Sequence, residues 1–164
     1  MALGKTQTAQ PPAGAPFGDH RCRFELTAHP DAVSRARRLT REHLSARDVC
    51  ADTCDTAALV VSELVTNAIV HTVSRRIVCD LTDDPAGDTV RIAVRDEGPG
   101  EGRRHPHPAR AGDEDHGRGL LLVSAVSSAW GTQEEELGLL VWAVLPRATE
   151  EAGAAEAGAA EAAA

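Results

Sequence analysis

The sequence predicts an α+β two-layer sandwich, a mostly antiparallel five-stranded sheet with three helices on one face. Three observations carry this. The first ordered segment alternates with period 2, two segments of helical period follow it back to back, and the remaining strands fall in pairs around one further helix. Helices therefore cannot link every strand to the next, as a parallel sheet requires.

From Cys22 to Ala28, Cys22, Phe24, Leu26 and Ala28 share one face, and Arg23, Glu25 and Thr27 share the other, as in a half-buried strand. His29-Pro30-Asp31 opens a helix in which Val33, Ala36, Leu39 and Leu44 recur at helical spacing and Arg35, Arg37, Arg38 and Arg41 form a basic surface. That helix ends near Ser45 to Asp48. A second begins around Asp52 to Asp55 and stops near Thr72. Its Val and Thr content alone would suggest a strand, but a periodic segment of this length favours a helix. Strands follow at Arg76 to Thr82 and Asp88 to Asp96, joined by the turn signal Asp83-Asp84-Pro85-Ala86-Gly87. Glu101 to His116 has no apolar periodicity and reads as a mobile polar loop. An apolar helix then runs from Leu120 to Ala129 and stops at Trp130-Gly131. Strands near Thr132 to Glu136 and Leu139 to Leu145 complete the set, ending at Pro146.

With 164 residues, 42% of them hydrophobic, the chain has material for one domain with a proper core. That domain is expected over residues 19–147, between a disordered leader of Pro, Gly, Ala and Gln at 1–18 and a low-complexity Ala/Glu/Gly tail at 148–164. Phe17, Phe24, Trp130 and Trp142 are the only aromatic residues, and the net charge is −8, so direct nucleic-acid binding is disfavoured. No apolar run approaching the roughly 18 residues of a bilayer span is evident, nor is a signal peptide. A cytoplasmic protein without a membrane anchor is expected. Cys22, Cys50, Cys54 and Cys79 are too scattered for a structural zinc site and read as buried thiols.

The chemistry centres on Val60 to Thr72. At about 100° per residue, Glu63, Asn67 and His71 form one polar stripe on a helix that is otherwise apolar. Two readings stand for that stripe. Either neighbouring backbone satisfies a core Glu and Asn, or the edge is chemical, with Asn67 a ligand for a hard cation and Glu63 a base. His71 is most simply a polar residue at a helix end. On the second central strand Val90, Ile92, Val94 and Asp96 share a face, which places a carboxylate at the floor of a pocket. Gly98-Pro99-Gly100 follows directly. His105 and His107 could chelate a metal, but beside two prolines they read as ordinary loop histidines.

Taken in order, Glu63-x3-Asn67 on a helix, Asp96-x-Gly98-x-Gly100 after a strand, a polar lid and Gly117-x-Gly119-Leu120 opening a helix resemble the GHKL ATPase superfamily of gyrase, heat-shock chaperones, histidine kinases and MutL. Within it the chain is most similar to the small stand-alone anti-sigma-factor serine kinases. The resemblance covers roughly Phe24 to Leu145 and implies the Bergerat-type ATP-binding fold. It implies that Asp96 accepts a hydrogen bond from the adenine amino group, that Gly98 and Gly100 let the backbone pass the base, and that Asn67 holds Mg²⁺ on the phosphates. Gly117 and Gly119, with Arg118 and Leu120 in the same turn, would bring backbone N–H groups to the phosphates of ATP. Glu63 would polarise the attacking hydroxyl, and Arg37 roughly matches an arginine that approaches the γ-phosphate.

By that resemblance the chain is expected to be a serine/threonine-protein kinase. It would bind a sigma factor and phosphorylate a serine of a STAS-domain anti-anti-sigma protein. Relatives of this kind are often homodimers. Leu139 and Leu140 depart from the Gly-Lys-Thr or Gly-Thr that relatives commonly carry there, and neither leucine side chain can donate a hydrogen bond. That departure motivates an alternative, a catalytically weak module that binds proteins in a nucleotide-dependent way.

Overall fold

The computed structural model describes residues 20–71, 75–96, 117–136 and 138–148. The expected leader, the polar loop and the tail beyond Ala148 lie outside them, as do Gly98 and Gly100. The elements are β1 (Arg21–Thr27), α1 (Asp31–Ser45), α2 (Ala51–His71), β2 (Arg76–Asp84), β3 (Thr89–Asp96), α3 (Gly117–Val126), β4 (Ala129–Glu135) and β5 (Gly138–Pro146). The five strands form one sheet in the order β1-β2-β3-β5-β4, and every neighbouring pair is antiparallel. The α+β sandwich expected from the sequence is the fold observed.

The period-2 pattern decides which side of the sheet is core. Ile77, Cys79 and Leu81 of β2, Val90, Ile92 and Val94 of β3, and Ala143 and Leu145 of β5 join Leu64, Val60, Val61 and Val65 of α2 in one buried cluster. Burial pushes the Cys79 thiol up to about 12, so it serves as a packing group rather than a nucleophile. All four cysteines are free thiols.

Helix α2 packs on β3 and β5 and is flanked by α1 and α3. Contrary to the expectation from sequence, Ala51–Val70 is long and apolar enough to cross a bilayer. Its position as the central core helix accounts for that composition, since a helix packed on several sides needs apolar residues nearly all round. Its hydroxyl residues bond back along the helix, Ser62 Oγ to the Ala58 carbonyl at 2.6 Å and Thr66 Oγ1 to the Ser62 carbonyl at 2.7 Å. Ser and Thr therefore enter this helix without leaving a buried donor unpaired.

Helix α1 buries Ala32, Ala36, Thr40 and Leu44, one residue per turn, and leaves its arginines outside. Between α1 and α2 the chain turns through Asp48, whose φ of 57° lies in the left-handed region. Aspartate tolerates that region at a cost that glycine avoids. Asp48→Gly should therefore raise the unfolding free energy by about 0.5 kcal/mol, the relief of strain outweighing the added freedom of the unfolded chain; urea denaturation measures the sign directly.

Strand β2 runs two residues further than expected, to Asp84, and α3 starts at Gly117 rather than Leu120; the larger difference is at the other end of α3. The helix expected over Leu120 to Ala129 ends at Val126, and Trp130 and Gly131, expected as its stop, lie inside β4. The pairing with β5 explains the difference. Gly131 stands opposite Trp142, and a Cβ there would come within 3.0 Å of the indole ring, so this glycine makes room for a ring rather than ending a helix.

Candidate functional site

The described candidate residues of the helix stripe, the strand end and the glycine turn lie on three elements, α2, β3 and α3. Asp96 is the last residue of β3, paired with Ile77 at the start of β2, and is only 4% exposed. Its Oδ1 accepts a hydrogen bond from the Leu139 backbone N–H on β5 at 3.3 Å. A carboxylate can accept about four hydrogen bonds, so that amide does not by itself saturate it. A buried carboxylate favours ligands that bring a hydrogen-bond donor over ligands that do not.

Glu63 and Asn67 are half-buried and one turn apart on α2. The contact that turns the Glu63 stripe into a site lies across the α2–α3 interface. Gly119, in the first turn of α3, is so close that a Cβ built on it would stand 2.5 Å from Glu63 Oε2. The acid on α2 is therefore held against a helix start, where backbone N–H groups lack intrahelical partners and the helix dipole favours negative charge. Gly117 and Arg118 form that same first turn, and Leu120 packs its side chain against the main core. Arg37 is exposed on α1, outside the Glu63–Gly119 contact.

Leu139 and Leu140 take on definite roles. Leu140 points to the helix-free side of the sheet, where it packs with Ala93, Trp142 and Val144, away from Asp96. Leu139 reaches Asp96 through its backbone amide, which any residue except proline supplies. The missing side-chain donor at these positions therefore leaves the setting of Asp96 intact.

The comparisons agree with the fold. The family description "Histidine kinase-like ATPase domain" matches residues 26–145, which run from β1 to the end of β5. The chain belongs to the histidine kinase-like ATPase family. Among solved structures this ATPase domain is similar to the RsbU and RsbW domains of Rv1364c from Mycobacterium tuberculosis, with a TM-score of 0.59 and 20% identity. That match covers 77% of this chain and 32% of the other, so this ATPase domain spans about a third of that chain's length. Among curated proteins, none matches its sequence significantly.

The residues present suit an adenine nucleotide. Asp96 is a buried carboxylate, and Gly119 admits the Glu63 carboxylate to the start of α3. A magnesium ion needs few protein ligands when phosphates supply the rest, and Asn67 is the side chain one turn from Glu63 that can offer a neutral oxygen. Sequence reasoning missed two features here, the Leu139 amide on Asp96 and the fit of Gly119 to Glu63. The only signal for the second was a glycine inside a helix, where glycine is disfavoured.

Proposed function

We propose that the protein is an ATP-dependent serine/threonine kinase of the anti-sigma type, a cytoplasmic regulator acting on a protein partner. The observation that carries this reading is the Glu63 carboxylate standing against the first turn of α3, in a domain whose Asp96 is a buried carboxylate. Asp96 would accept the adenine amino group, Gly98 and Gly100 would line the base, and Asn67 would hold Mg²⁺, which when bound offsets charge on the phosphates. Gly117, Arg118, Gly119 and Leu120 would supply backbone donors to the phosphate chain, and Arg37 would stabilise charge on the γ-phosphoryl group.

In the transfer step a serine Oγ bonds to the γ-phosphorus while the bond from that phosphorus to the β,γ-bridging oxygen breaks. ADP leaves with the electron pair. The serine proton passes to Glu63, which must be within hydrogen-bond reach of the hydroxyl.

A protein acceptor is supported by what surrounds the acid. Leu59 and Val70 lie on the same side of α2 as Glu63 and are 40% and 52% exposed, and Leu121, two residues beyond Gly119, is 70% exposed. Apolar side chains left in water around a reactive carboxylate suit a macromolecular partner. A sigma factor as the regulated protein and a STAS-domain protein as the acceptor fit this reading, in keeping with the similarity to a structure that contains an RsbW domain.

Calorimetric titration of ATP with Mg²⁺ tests the site. Asp96→Asn should weaken ATP binding by at least about tenfold, since hydrogen bonds to charged groups contribute about 1.5–3 kcal/mol. Equal affinity in the variant would remove Asp96 from base recognition. Incubation with ATP and a STAS-domain protein, read by mass spectrometry for phosphoserine, tests the transfer. ATP-dependent partner binding without phosphoserine would point instead to a nucleotide-dependent binding module.

A further inference from the structure

Gly119 is a glycine that its backbone does not require. It lies in the first turn of α3, and its φ is outside the left-handed region that glycine serves best. Within a helix, glycine is the poorest choice after proline. The neighbourhood of Gly119 explains its presence. A Cβ built there meets Oε2, Cδ and Cβ of Glu63 at 2.5, 3.5 and 3.7 Å, so the Glu63 side chain stands where even a methyl group would go. The nearest of these atoms is the free end of a flexible chain. An added methyl group would therefore move the carboxylate and leave the helix in place.

We infer that Gly119 is the positioning residue for Glu63: by lacking a side chain it fixes where that carboxylate stands at the start of α3. The consequence for chemistry rests on the phosphoryl-transfer reading above. A base contributes only while it reaches the proton it takes, and a misplacement of about 1 Å costs on the order of 100-fold in rate. Gly119 thus has a task separate from offering its backbone N–H to a phosphate. The two tasks predict different losses.

The test is Gly119→Ala in the full chain, followed by ADP formation from ATP, ATP calorimetry and a crystal structure without nucleotide. Positioning predicts that turnover at saturating ATP falls by about 100-fold while the dissociation constant for ATP changes by less than about threefold, a loss confined to the transition state. It also predicts that Gly119→Ala lowers turnover no further in the Glu63→Ala background, because two residues acting through one group are not additive. In the crystal structure the Glu63 carboxylate should be swung off α3 with the helix backbone unmoved. Weaker ATP binding with unchanged turnover at saturation would overturn the inference in favour of a phosphate contact alone, and so would a carboxylate still seated at position 119. If the parent protein forms neither ADP nor phosphoserine, the kinase reading falls, while the crystal structure still decides whether Gly119 positions Glu63.

Discussion

Glu63→Ala should lower phosphoryl transfer by about 10²- to 10⁴-fold, the usual contribution of a positioned general base, and leave ATP affinity nearly unchanged. The separation follows from where the groups lie. Asp96, the residue proposed to recognise the base, is on β3, whereas Glu63 reaches across from α2 to the start of α3. Glu63→Gln is the more discriminating variant, because it keeps the shape against Gly119 and removes only the capacity to take a proton. Single-turnover transfer and calorimetry on the same preparations separate the two effects. Transfer by either variant at the parent rate would take Glu63 out of the mechanism.

The largest expected loss of stability lies at the other end of the sheet. Arg147, just beyond β5, forms an ion pair with Asp83 near the end of β2, and their side chains are 8% and 1% exposed. The same guanidinium donates to the Arg47 carbonyl between α1 and α2 at 3.1 Å, and the Cys50 N–H donates to the Ala148 carbonyl at 2.9 Å. One arginine therefore ties the last strand to the second strand and to the helix layer. Asp83→Ala should cost about 3–5 kcal/mol, because it leaves a buried cation without its partner. Replacing both partners, as in Asp83→Leu with Arg147→Met, should recover most of that loss, since the pair itself stabilises little relative to apolar residues of similar size. Urea unfolding of the single and double variants gives the coupling. A loss under about 1 kcal/mol in the single variant, the range of exposed ion pairs, would show that the pair is solvated in solution.

His43 lies in this corner as well. Burial lowers its pKa, with the Arg47 guanidinium acting in the same direction. It therefore stays neutral under ordinary conditions, and its own charge is not among the interactions that hold the corner together.

Much of the architecture was legible because hydrophobic period is local. Cys22, Phe24 and Leu26 announce a strand with no knowledge of what covers them, and β1 is found within one residue of that reading. The length of α2 was legible for the same reason, despite its Val and Thr content. What escaped was non-local. Trp130 and Gly131 look like a helix stop in sequence, and only the strand opposite shows that Gly131 makes space for Trp142. Arg147 and Asp83 are 64 residues apart, and no spacing rule joins them. At the site, the order of Glu63, Asn67, Asp96 and the glycines was readable. The meaning of Leu139 was not, because it acts through a backbone amide that carries no trace of its side chain.

The Asp83 clamp and the Asp96 floor occupy opposite ends of the same strand pair. In the β2–β3 ladder Asp83 faces Val90 and Asp96 faces Ile77, so six steps along β2, about 20 Å of strand, separate the two rows. At that distance substitutions seldom interact energetically. The candidate site can then be altered without drawing on the stability reserve held at the far end. An inactive variant of the half-buried Glu63 should melt like its parent, which makes it a clean decoy for capturing protein partners in the cell.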